Sequence, residues 1–69
     1  MGDYSIEAES YQLQNGKWVA QARVEWWEGG SWKSHPVLDP QRPRPEFDTK
    51  KAADARARAL GKAYIRDFL

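Results

Sequence analysis

From Lys17 to Trp27 apolar and polar side chains alternate. Trp18, Ala20, Ala22, Val24 and Trp26 hold the even positions, with Lys17, Gln21, Arg23 and Glu25 among the odd ones. A period of two marks a strand with one buried face. Just upstream, Asn15-Gly16 supplies two residues that tolerate positive φ, which predicts a tight hairpin turn back to an earlier strand. A two-residue turn pairs Leu13 with Trp18 and Tyr11 with Ala20. Continued without a break, that register sets Glu9 against Ala22 and Glu7 against Val24, and burying unpaired carboxylates is costly. One extra residue near Glu9-Ser10 restores an apolar face, with Ala8 opposite Ala22, Ile6 opposite Val24 and Tyr4 opposite Trp26. The sequence therefore predicts a β-bulge at that point.

Gly29-Gly30 predicts a second hairpin leading into Ser31–Leu38. A two-residue turn there pairs Trp27 with Trp32, and a three-residue turn pairs Trp26 with Trp32; both suit the glycines. Pro36 cannot donate to a ladder, which places this third strand at an edge. Residues 39–46, with Pro40, Pro43 and Pro45, read as an extended connection crossing from the sheet to the C-terminal segment. A helix over about 49–68 comes next, capped by Asp48 or Thr49 and rich in alanine. Ala53, Ala57, Leu60, Tyr64 and Phe68 fall on one stripe of it, and Phe47 precedes the cap as a hydrophobic staple. Gly61 stands out as a weak point, costing about 1 kcal/mol relative to alanine. The expected architecture is α+β: a three-stranded antiparallel sheet over about 4–38 with one C-terminal helix packed on one face, β-β-β-α, in a single domain spanning 1–69.

Size sharpens the question of what holds such a domain together. With 69 residues and no Cys, it has no disulfide or thiolate metal site to reinforce a core that typically nets only about 3–5 kcal/mol. Four Trp, three Tyr and two Phe must then either fill the core or meet a partner. Charge is segregated behind a net of +1: residues 1–28 carry two basic against five acidic side chains, and residues 41–69 carry eight basic against four acidic. No apolar run approaches the ~20 residues of a membrane span and no signal-peptide pattern opens the chain, so a cytoplasmic location is expected.

Candidate chemistry is sparse. His35 is the single histidine and reads as an exposed edge residue; a Ser/His/Asp set from Ser31 or Ser34, His35 and Asp39 has no nucleophile-elbow context. Glu7 and Glu25 fall on the outward strand face as solubilising charges. No catalytic residue, cofactor or metal is indicated, and no small-molecule substrate; the expectation is a non-catalytic binding module. One helix covers only one side of a sheet, so Trp27, with Trp32 and Val19, is expected as an exposed aromatic patch for a protein partner or a second copy. The alternative partner is nucleic acid, through the helix edge formed by Lys51, Arg58, Lys62 and Arg66 or through the sheet residues Lys17, Gln21 and Arg23. Glu25 and Glu28 beside the tryptophans oppose phosphate and favour the protein partner.

The run Gly16-Lys17-Trp18-Val19-Ala20-Gln21-Ala22-Arg23-Val24, a further hairpin, and then Phe47-Asp48-Thr49-Lys50-Lys51-Ala52-Ala53 resembles the arm-type DNA-binding domain of phage integrases. The likeness covers roughly residues 16–60. It implies a three-stranded sheet plus a C-terminal helix, with the sheet laid in the DNA major groove. Carried over residue by residue, it would turn Lys17, Gln21 and Arg23, and with them Lys33, toward DNA.

Overall fold

The alternating run becomes the central strand of the sheet in a computed structural model of the chain, which describes residues 3–69. The elements are β1 (Tyr4–Ala8), β2 (Tyr11–Gln12), β3 (Trp18–Val19), β4 (Gln21–Glu28), β5 (Ser31–Leu38), β6 (Glu46–Phe47) and α1 (Lys50–Phe68). They form an antiparallel sheet in the order β1-β4-β5 and a smaller one in the order β2-β3-β6. The first two expected strands are thus each divided in two, the third stands whole as β5, and β6 forms where an extended connection and the residue before the helix cap were expected. The α+β class and the three-stranded sheet against a C-terminal helix are as the pattern requires.

Register shows how the two sheets relate. Tyr4 pairs with Trp26, Ile6 with Val24 and Ala8 with Ala22; farther along the same two arms, Tyr11 pairs with Val19 and Gln12 with Trp18. The pairing keeps step across the gap, where the Glu9 N–H donates to the Gln21 carbonyl at 2.7 Å. No residue is inserted at Glu9-Ser10, so the expected bulge is absent. The extra residue lies in the turn instead. Gln14-Asn15-Gly16 form a three-residue loop, in which Leu13 N–H donates to Lys17 O at 2.7 Å and Gly16 N–H donates to Leu13 O at 3.0 Å. Gly16 sits at φ 87°, a left-handed conformation that closes this turn type and needs glycine. Leu13 accordingly does not face Trp18, and Tyr11 faces Val19 rather than Ala20.

The second turn is the two-residue form: Trp27 pairs with Trp32 and Glu28 with Ser31. Gly29 and Gly30 adopt φ of 61° and 83°, the double positive φ of a type I′ turn. On the far side of the central strand, β4 pairs with β5 and β3 with β6, and residues 39–45 loop out between.

Thr49 caps the helix, its hydroxyl accepting from Ala52 N–H at 3.1 Å. The helix lies on the face bearing Ile6, Ala8, Ala22 and Val24, and the core is small: Ala20, Ala22, Ala57 and Leu60 cluster together, with Ile6, Ala8, Val37 and Phe47 packed against them. Phe68 does not complete the expected stripe and is 72% exposed. Gly61 is no weak point. A Cβ there would stand 2.6 Å from Ile6 Cγ2, so glycine is what lets the helix approach β1. Asp39, 1% exposed, ties the proline-rich connection to the helix: its carboxylate accepts from Arg56 Nε at 3.0 Å, Arg56 Nη2 at 3.2 Å and Gln41 N–H at 3.0 Å. That pairing, led by the Arg56 hydrogen bonds, holds the Asp39 carboxyl below its ordinary range against the opposing effect of burial.

Candidate functional site

Alternation from the buried Val24 turns the odd-numbered residues of β4 to the face that the helix leaves open. Trp27 and its cross-strand neighbour Trp32 stand there, 50% and 59% exposed. Their ring centroids are 5.5 Å apart at an interplanar angle of 78°, the edge-to-face packing that aromatic quadrupoles favour. The paired glycines fix this geometry, because only the two-residue turn brings these tryptophans opposite each other. Toward the middle of the face, Arg23 donates to Glu9 Oε2 at 3.0 Å and to Ser34 Oγ at 3.5 Å. Leu38 is exposed at its far end. The result is a polar, ion-paired surface with an aromatic pair at the hairpin tip.

Val19 is not part of that patch. It is 3% exposed, because the proline-rich connection folds back beside it: Arg42, Pro43 and Arg44 share a groove with Tyr11 and Val19, and Arg44 Nη1 reaches the Tyr11 hydroxyl at 3.5 Å. Alternation alone points Val19 outward, and a segment distant in sequence buries it.

The cations divide into those already engaged and those left open. Lys17 is in an ion pair with Asp48, and Arg23 with Glu9; Gln21 is half-buried and its carbonyl accepts from Glu9. On the helix, Lys50 pairs with Asp54, Arg56 with Asp39 and Arg66 with Asp67. Lys51, Arg58 and Lys62 are exposed and have no ion-pair partner among the described residues. The Lys50 ammonium, which donates to Asp54 Oδ2 at 2.8 Å, holds the Asp54 carboxyl below its usual range.

His35 lies flat on Tyr64, with centroids 4.9 Å apart and planes 14° apart, and Tyr64 leans on Phe68 at 5.1 Å. These rings, with Val37, Leu38 and Leu60, line an open groove of about 390 Å³ between β5 and the end of the helix. Asp39 is turned to Arg56 and is not the partner a His35-based triad would require. Among the described residues no three metal-ligating side chains gather, and no helix is long and apolar enough to cross a membrane. Sequence reasoning missed both the Asp39–Arg56 clamp and this groove, since each joins residues far apart in the chain. Compared with protein-family models, curated proteins and solved structures, the chain matches none.

Proposed function

We propose that this chain is a non-catalytic association module that forms a symmetric dimer through its outer sheet face, with Trp27 and Trp32 at the centre of the contact. The observation that carries the reading is the pair of half-exposed tryptophans on the sheet face opposite the helix. Tryptophan pairs of this kind are the anchors on which interfaces concentrate their energy. The core gives a second reason. Its largest fully buried side chains are Val24 and Asp39, and none of its nine aromatic side chains is fully buried. Burying apolar area against a second copy returns about 25 cal/mol per Å², which offsets what the alanine-rich interior lacks.

Sedimentation equilibrium over a concentration series tests the proposal, with Trp27→Ser, Trp32→Ser and Phe68→Ser compared with the native chain and circular dichroism confirming that each is folded. The native chain and Phe68→Ser should dimerise as concentration rises, and both tryptophan variants should remain monomeric. A native chain that is monomeric throughout, or a dimer that survives both tryptophan substitutions, overturns the reading. A dimer lost only in Phe68→Ser moves the interface to the groove at the helix end and overturns it equally.

A further inference from the structure

We infer that the exposed face of α1 is a docking surface for duplex nucleic acid, recognised through its phosphate backbone by Lys51, Arg58 and Lys62. The inference rests on the helix alone and is independent of the tryptophan face. Of the helix's cations, Lys50, Arg56 and Arg66 are each neutralised by a carboxylate, at 2.8, 3.0 and 3.0 Å. Those pairs engage Asp39, Asp54 and Asp67, while Asp48 is held by Lys17. On the helix, ion pairing therefore removes both acids and three of the six cations and leaves Lys51, Arg58 and Lys62 open.

The three are aligned. At 100° per residue they fall within an arc of about 40°, and at 1.5 Å per residue they span roughly 16 Å of helix. Arg66, part of the expected edge, is drawn aside by Asp67. Between Lys51 and Arg58 the same line carries exposed Ala55, a side chain too short to hold a facing backbone away. A rigid row of charge suits a rigid row of phosphates, which recur about every 3.4 Å along each strand of a duplex.

Two other partners fit less well. Helices that lie on membranes carry large apolar side chains along one side of the basic face; here one flank is exposed Ala52 and Ala59, and the other offers the single half-buried Ile65. The acidic outer sheet of a second copy is partly neutralised by its own Arg23–Glu9 pair and offers no comparable row of charge.

The test is fluorescence anisotropy of a labelled random-sequence duplex titrated with the native chain, Arg58→Glu, Lys62→Glu and Lys33→Glu. All three variants change net charge equally, and only the first two touch the row. Native binding should be measurable at low salt, and log affinity should fall against log salt with a slope of about −3, as three phosphate contacts require. Arg58→Glu and Lys62→Glu should each weaken binding by about tenfold while Lys33→Glu stays close to native. Absence of binding at low salt, a slope near zero, or an equal loss in Lys33→Glu overturns the proposal. So does binding to anionic phosphatidylserine vesicles with none to the duplex. Trp27→Ser should bind the duplex at low salt with a slope like that of the native chain, which separates failure of this site from failure of the dimer.

Discussion

Beneath the helix the sheet presents Ile6, Ala8, Ala22, Val24 and Val37, while the opposite face carries Glu7, Arg23, Glu25, Trp27 and Trp32. Volume is distributed unevenly: under the helix the covered face is made of small side chains, with Trp26 half-buried at its end, while the open face holds Trp27 and Trp32 half-exposed. Close approach explains the first. A helix that packs a glycine against an isoleucine methyl has no room for aromatic rings between it and the strand. Trp27 and Trp32 are placed where a partner, rather than the domain's own helix, would bury them.

The comparison breaks most visibly at Gly61. Gly61→Val puts branched bulk where a single Cβ already meets Ile6 at 2.6 Å. The expected loss is about 3 kcal/mol, most of what a domain of this size holds, seen as a collapse of the urea unfolding midpoint. Adding Ile6→Ala removes the opposing methyl, so the double variant should be more stable than the two single losses predict. Simple additivity would contradict the close approach.

Asp39 comes next. Asp39→Asn breaks a pair whose carboxylate is buried and whose Arg56 partner is part-exposed, so Arg56 can rehydrate and the loss is held to about 2 kcal/mol. Glu9→Gln, at the corresponding ion pair on the open face, should leave the melting temperature almost unchanged. Equal effects at the two sites would erase the distinction between the covered and open faces.

A smaller effect comes from pH. Asp39, Asp48 and Asp54 all have carboxyls held below the ordinary 3.8 by their cationic partners. The unfolded chain therefore binds these protons more readily than the folded one, and stability rises with pH through that window. The melting temperature should be level from neutral pH down to about 5 and fall below about 4 as the folded carboxyls take up protons. In Asp39→Asn the acid-side decline should be shallower.

How much of this was legible in the sequence depends on the distance between the residues involved. The pairing of β1 with β4 follows from keeping Ile6 and Ala8 on the side of Val24 and Ala22, and it stands as expected. The reason for it differs, since the additional residue lies in the loop around Gly16 rather than at Glu9-Ser10. Both solutions preserve the apolar face and part company only at Tyr11–Leu13, where the pattern is too short to choose. The helix and its cap were readable because their signals are local. Val19 was not, because a segment far along the chain covers it. Propensity marked Gly61 as a liability, while packing makes it a requirement. Alternation placed Trp27 and Trp32 outward, and the two-residue turn brings them into contact.

The central claim is that the outer tryptophans meet another copy of the chain while the inner ones do not. Fluorine NMR of the fluorotryptophan-labelled native chain, diluted from a concentrated solution, tests it directly with four resonances in one sample. Those of Trp27 and Trp32 should shift together with concentration, and those of half-buried Trp18 and Trp26 should stay fixed. Four resonances that never move, or a shift confined to Trp18 and Trp26, would contradict the account.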